Sequence, residues 1–404
     1  MPTTAFSTAS QALARATFNR LVTKITVGTL TVETPDGRSR RINSGKPGPS
    51  AVLQVKDNAF YARVLLHGEI GFGEAYVDGL CGSPDLVQLL ELAMVNRQAV
   101  DLNKGPLKLL SRRRNRKLHE QRENTVERSK DNIHAHYDLG NEFFNLFLDE
   151  TMTYSSAVFE RPDQSLADAQ RNKYCRMCEQ ADITSADHVL EIGTGWGGFA
   201  MFAAQTYGCK VTTVTISGEQ YALATERIKD AGLSHLVDVR MQDYREITGE
   251  YDKIISIEMF EAVGAEYFET FFMKCSEFLK PGGKLVMQVI TVPDANFEAQ
   301  KTGVNWIQKY IFPGGVLPSI EEMERCNART GLVLLSTGDI GLDYAVTLRQ
   351  WRERFWKQID AVRAQGYDER FIRIWDYYLA GCEAGFLTRI TSDVQVVFQK
   401  PDAS

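Results

Sequence analysis

The sequence predicts an α/β protein, a doubly wound and mainly parallel sheet with an antiparallel edge strand, preceded by a small α+β domain. Three observations carry this. The apolar run Val189-Leu190-Glu191-Ile192 stops at Gly193-Thr194-Gly195-Trp196-Gly197-Gly198 and gives way to the helix-forming Phe199-Ala200-Met201-Phe202, which is the order strand, glycine turn, helix. Further strand-patterned runs follow it, alternating with helical segments at the spacing of βαβ units. The 404 residues, 44% hydrophobic and 24% charged, leave room for two domains, one large enough for a full α/β core.

Taken in order, residues 1–20 carry Ser, Thr, Ala and Arg without an acid and read as an amphipathic first helix. Ile25 to Glu33 alternates, Thr34-Pro35-Asp36-Gly37 is a turn, and Ala51 to Val55 and Ala62-Arg63-Val64-Leu65-Leu66 read as further strands before a helix over 83–95. Residues 1–103 thus form an α+β domain with no catalytic constellation of its own. A linker over 104–131 follows, dense in Arg and Lys through residue 130. It is either a solvated helix or a contact with an anionic membrane, where each cation gains about 1 kcal/mol; it lacks the aromatic residues that stack nucleic-acid bases. His134 and His136 open the third segment, 132–404, with no further ligand at metal spacing, which points to positioning or capping. Past the glycine turn, strands are expected over 210–216, 237–245, 251–258 and, after Lys280-Pro281-Gly282-Gly283, 283–291; Val394 to Lys400 reads as the edge strand.

The net charge of −6 argues against a nucleic-acid binder. Seven scattered cysteines suit a reducing compartment rather than a disulfide framework, and Cys175 and Cys178 are spaced as one turn of helix without the partners of a zinc site. No apolar run is long enough to span a bilayer and no secretory leader is evident, so a cytoplasmic protein, peripheral to the membrane at most, is expected.

Gly193, Gly195 and Gly198 fit the G-x-G-x-x-G spacing that holds dinucleotides, and also fit a turn that serves only helix–strand packing. Glu191 tilts the choice of ligand. An acid just before the glycines repels a pyrophosphate but suits the amino and sulfonium cations of S-adenosylmethionine.

The motifs HYDLGNEFFNLFLDETMTYSSAVF, VLEIGTGWGGFA, VTISGEQ, MQDYRE, MFEAVG, YIFPGGVLPS and YYLAGCEAGF resemble the cyclopropane fatty acid synthase and mycolic acid cyclopropane synthase family from about residue 132 to the C-terminus. GFGEAYVDG extends the likeness into the N-terminal domain, which in long members engages lipid. The resemblance implies a Rossmann-like methyltransferase sheet and transfer of the S-adenosylmethionine methyl to the double bond of an acyl chain, usually in a membrane phospholipid. It implies phospholipid acyl chains at a membrane surface as partners, no nucleic acid and no metal, with a homodimer admitted. By position it implies cofactor contacts at Tyr154, Ser155, Glu191, Gly193, Gly195, Thr215 and Gln220, with Asp243 bordering the adenine. Ser217 reads equally as the cap of the helix that Gln220 begins.

In relatives a bicarbonate ion serves as base, held by two Cys, a Glu, a His and a Tyr. Glu261, Tyr344 and Cys382 match that set, whereas Ser156 and Gln288 stand in place of a Cys and the His. Both still donate hydrogen bonds, but the imidazole is gone, so bicarbonate is expected to bind weakly or not at all. Glu261, its pKa raised by an apolar site, is then expected to accept the proton or orient a water. Tyr310, Phe312 and Tyr344 are the aromatics that could face a carbocation, with core packing the plainer role for Phe312. The outcome is a cyclopropane, methylene or methyl-branched chain. Two alternatives remain open here: methylation of another lipid or a small amine, and a degenerate protein that binds lipid and S-adenosylmethionine without turnover.

Overall fold

The computed structural model describes residues 8–101 and 139–402, so the basic stretch 104–130, His134 and His136 lie outside the described residues. The chain forms two compact units: Met1–Leu118 with Gly303–Ile311 and Arg363–Ile390, and His119–Thr302 with Phe312–Val362 and Thr391–Ser404.

The first unit opens with the expected helix, Thr8–Val22, whose Phe18 packs edge-on to Phe60 at 5.4 Å. Its strands are β1 (Thr29–Glu33), β2 (Ser39–Asn43), β3 (Ser50–Val55) and the short β4 (Cys81–Gly82), in the order β2-β1-β3-β4. One expectation fails here. Ala62 to Leu66 is not a strand but part of a helix, Ala59–Val77, in which Phe60, Tyr61 and Val64 are wholly buried at helical spacing. Five residues are too few to separate a period of two from one of 3.6 when apolar side chains stand on both faces. Helices Leu86–Val95, Trp306–Tyr310 and Glu369–Leu387 complete the unit. Within it Lys309 and Tyr310 both donate to Glu74 Oε1, at 2.6 and 2.7 Å.

The second unit holds β5 (His188–Ile192), β6 (Lys210–Thr215), β7 (Val237–Met241), β8 (Tyr251–Ile257), β9 (Leu279–Thr291), β10 (Val333–Asp339) and β11 (Ser392–Gln399), in the order β10-β11-β9-β8-β5-β6-β7. The strands from β9 to β7 pair in parallel, and β11 runs antiparallel to both β9 and β10. This is the expected class of sheet, but Val394 to Lys400 is not its edge. β11 is buried on both faces between β9 and β10. The antiparallel edge is β10, whose Val333 and Leu335 are exposed and whose sequence therefore lacks a buried-strand pattern. Cys175 and Cys178 do share a helix, Leu166–Gln180.

β5 pairs with β6 on one side and β8 on the other, so the chain order reverses direction at β5. Crevices at the carboxyl ends of strands at such a switch point are where open α/β sheets bind ligands. The segment after β8 is held in place by Phe260, fully buried, stacked on Phe268 at 4.3 Å and edge-on to Phe271 at 5.0 Å. Phe260→Ala is expected to lower stability by about 3–5 kcal/mol in denaturant unfolding, and Phe260→Leu by far less. A loss below about 1 kcal/mol for the alanine variant would show that the segment does not depend on this ring.

Candidate active site

At the end of β5 the N–H groups of Gly193 and Thr194 both donate to Val214 O, at 3.0 and 3.1 Å, which folds the glycine turn over β6. Gly193 has φ 104° and Gly195 φ 51°, and the space beside Gly195 where a side chain would stand is open. A ligand can therefore approach this backbone closely. Glu191, 2% exposed, accepts a 2.6 Å bond from Thr213 Oγ1. Burial pushes its carboxyl up to about 8, so it is largely neutral at pH 7 until a cation is brought to it. That arrangement fits a cationic methyl donor. At the end of β6, Thr215 Oγ1 donates to Gln220 Oε1 at 2.8 Å, and Ser217 caps the helix Gly218–Asp230 through Gln220 N, as expected. Asp243 is engaged by Arg245, which donates from Nε at 2.9 Å and Nη2 at 2.7 Å. Tyr154 lies among aromatic rings, 5.2 Å from both Phe144 and Trp351.

The acids of the site stand next door, at the end of β8. Glu258 directly follows that strand in the left-handed region, φ 47°, an uncommon conformation for a side chain of this size. The turn aims its carboxylate at three donors: Ser156 N and Gln288 Nε2, each 2.8 Å from Oε1, and Tyr344 OH, 2.7 Å from Oε2. Gln288 is oriented by Gln395, whose amide donates to Gln288 Oε1 at 3.1 Å, and its own Nε2 also reaches Asp393 Oδ2 at 3.0 Å. Three residues expected around a bicarbonate ion thus converge on a chain carboxylate. Ser156 contributes its main-chain N–H, since its Oγ donates to Ala157 O.

Glu258 was not singled out from the sequence. The available signal was an acid at the end of an apolar strand beside the glycine-turn strand, in Ile255-Ser256-Ile257-Glu258. Glu261, the expected base, is buried; Ile290 N donates to its Oε1, while Oε2 has no hydrogen-bond partner among the described residues. Burial, and then the charge of Glu258, push its carboxyl up to about 8. Asp393, wholly buried on β11, is pushed well above the carboxylate range by burial and by Glu258 and Glu261. Desolvation raises Glu258 as well, and although Lys173, Tyr344, Ser156 and Gln288 oppose it, its carboxyl stays above the usual carboxylate range; Glu258 is the partly open member of the three. It is therefore the most accessible of the three and the one whose two oxygens both accept hydrogen bonds. A bicarbonate ion does not fit this arrangement: its donors are engaged by Glu258, and two further carboxyls stand close by. Cys382 lies on the helix Glu369–Leu387 in the first unit, half-buried, and Tyr310 in the same unit donates to Glu74.

The helix Leu166–Gln180 supports the loop carrying Ser155 and Ser156. Gln170 Nε2 donates to Ser155 O at 2.9 Å and Lys173 Nζ to Ser155 Oγ at 2.5 Å. From the other side Thr347 Oγ1 accepts from Ala157 N at 3.1 Å, on the helix Gly341–Lys357 that also presents Tyr344.

Residues 124–396 match the family model described as mycolic acid cyclopropane synthetase. The chain is 39% identical over 357 residues to the tuberculostearic acid methyltransferase UfaA1 of Mycobacterium tuberculosis, covering 84% of this chain and 80% of that protein. It is 36% identical over 369 residues to the cyclopropane-fatty-acyl-phospholipid synthase of Escherichia coli K12, covering 89% of this chain and 90% of the relative. Among solved structures, the mycolic acid cyclopropane synthase CmaA1 complexed with SAH and CTAB superposes with a TM-score of 0.62 at 29% identity, covering 67% of this chain and 98% of that one.

The raised Glu261 gives a pH signature. The folded protein keeps this proton up to about pH 8 whereas the unfolded chain releases it near 4.5, so the folded state binds more protons in that window and loses stability as pH rises through it. Glu261→Gln is expected to flatten the fall by up to about 1.4 kcal/mol per pH unit, read from denaturant midpoints of the ligand-free protein at several pH values. An unchanged slope would show that Glu261 is already ionised at neutrality.

Proposed function

The chain belongs to the mycolic acid cyclopropane synthetase family, and on that premise we propose that it methylates the double bond of unsaturated fatty acyl chains carried by phospholipids, with Glu258 as proton acceptor. It is an S-adenosylmethionine-dependent methyltransferase. The observation that supports the proton-acceptor role is the convergence of Ser156 N, Gln288 and Tyr344 on the Glu258 carboxylate.

S-adenosylmethionine supplies an electrophilic sulfonium methyl, so no nucleophile on the protein needs activation. The residues that would hold it are Glu191 toward its cationic end, the turn at Gly193 and Gly195, Tyr154 and Ser155 beside that turn, and Thr215 with Gln220 at the end of β6, with Asp243 on the adenine side. The alkene's π pair would take the methyl as the S–CH3 bond breaks and the donor leaves as a neutral thioether, so the acyl chain would become a carbocation, which water would trap. Phe143, Phe144, Phe147 and Trp351, all wholly buried, form the dry aromatic wall around Tyr154. The cation then loses a proton to Glu258. If this happens before a hydride shift, loss of a proton from the transferred methyl closes a ring; after a shift, the same loss leaves a methylene branch. Glu261, neutral at pH 7, adds no second negative charge beside the acceptor.

Among the described residues no helix is long and apolar enough to cross a membrane. We propose that the protein reaches its lipid from the membrane surface, with the basic run of residues 104–130 contributing attraction to anionic headgroups.

Incubation with methyl-labelled S-adenosylmethionine and vesicles of unsaturated phospholipid, followed by mass spectrometry of the fatty acids, tests the reaction. Label is expected in the acyl fraction, and its absence there would remove the proposed substrate. Glu258→Gln is expected to lower kcat by about 10²–10⁴, the usual range for a lost general base, with S-adenosylmethionine affinity within about threefold of wild type. A variant within tenfold of wild-type kcat would overturn the assignment. Binding to anionic vesicles is expected to weaken at least tenfold between about 50 and 500 mM salt. Salt-independent binding would exclude an electrostatic attachment.

A further inference from the structure

Lys173 is wholly enclosed, 0% exposed, inside the second unit. A buried ammonium is costly, by several kcal/mol, unless its surroundings repay it. Its hydrogen bond goes to a neutral hydroxyl, Ser155 Oγ, at 2.5 Å, and among the described residues no carboxylate stands within ion-pairing distance. Instead it faces several acids across the core. In order of influence these are Glu258 after β8, Asp149 in the loop before Thr151, Asp393 on β11 and Glu191 on β5. The ring of Tyr174, 4.9 Å from its nitrogen, flanks it on its own helix. Beyond Glu258 stand Tyr344, which donates to it, and Glu261.

The same helix clamps Ser155 at two points, through Gln170 on its carbonyl and Lys173 on its hydroxyl, and the next residue's N–H is a donor to Glu258. We propose that Lys173 is a positioning residue of the methyl-transfer site: its buried positive charge keeps the Glu258 carboxylate ionised, and its bond to Ser155 aims the Ser156 N–H at that carboxylate. The proposal rests on Glu258 being the proton acceptor. Its charge favours the ionised form of both Glu258 and Glu191, so one buried cation acts on the acid of the methyl-donor turn and on the acid of the proton-accepting end. Charge is the essential property, since a neutral side chain of similar length would fill the space yet leave Glu258 favouring its protonated form. Burial pulls the Lys173 ammonium down to about 8, so this charge is itself lost in mildly alkaline solution.

The test is the pH dependence of single-turnover methyl transfer to unsaturated phospholipid vesicles, compared among wild type, Lys173→Met, Lys173→Arg and Glu258→Gln, with S-adenosylmethionine binding and thermal unfolding measured alongside. In Lys173→Met the acidic limb, where Glu258 loses its proton, is expected to move up by at least one pH unit, a tenfold loss of rate on that limb. Lys173→Arg, whose charge does not titrate, is expected to keep the acidic limb in place and to lose the alkaline change near pH 8 that Lys173 contributes. An acidic limb that stays put in Lys173→Met, or moves equally in both variants, would show a packing role and overturn the inference. If the methionine variant does not fold, Lys173→Gln, which can still donate a hydrogen bond but carries no charge, takes its place, and an acidic limb there that stays put overturns the inference alone. Glu258→Gln separates the two claims: an active Glu258→Gln enzyme removes the proton acceptor and this inference together, whereas an inactive one with an unmoved Lys173→Met limb removes only the role of Lys173.

Discussion

Four carboxyl groups confined at the carboxyl ends of β5 and β8 and on β11 are the constraint on which the rest of this unit depends. Glu191, Glu258, Glu261 and Asp393 come from β5, from the segment after β8 and from β11. Carboxylates taken out of water must be neutralised, hydrogen-bonded or protonated, and the chain uses all of these. Glu258 receives three donors, Glu261 and Asp393 are held toward their neutral forms, and Glu191 is left with the hydroxyl of Thr213.

The architecture serves that arrangement. The reversal of strand order at β5 brings the glycine turn and the acids side by side, although 65 residues separate Gly193 from Glu258 in sequence. Two helices close the site from outside the sheet: Leu166–Gln180 grips Ser155, and Gly341–Lys357 supplies Tyr344 and pins the chain at Ala157. The phenylalanine cluster around Phe260 holds the intervening turn, so hydrophobic packing there fixes the direction of two carboxyls.

Legibility in the sequence followed the physics of each element. The parallel strands were readable because each is a short apolar run bounded by turn residues, and the glycine turn because its backbone needs residues without a side chain. Ala62 to Leu66 misled because apolar residues on both faces of so short a run erase the helical period. β10 escaped because an exposed edge leaves no apolar alternation, and β11 was placed at the margin because nothing in its own residues announces a later partner. Ser156, Gln288 and Tyr344 converge on the Glu258 carboxylate, a target not evident in the sequence. That target depends on a left-handed backbone at Glu258, which residue type does not signal. Lys173 was not singled out from the sequence; only the packed structure reveals that it is wholly enclosed.

The left-handed turn at Glu258 has a further consequence. A base recruited from solution occupies its site in proportion to its concentration and exchanges with every other small anion present. A base attached to the backbone is present once per molecule, pre-aligned, at an effective molarity that no dissolved ion reaches. With Glu258 as the proposed proton acceptor, the modest strain of one residue at φ 47° would make the proton-accepting step independent of the carbonate content of its surroundings, leaving the supply of methyl donor and lipid as the external variables.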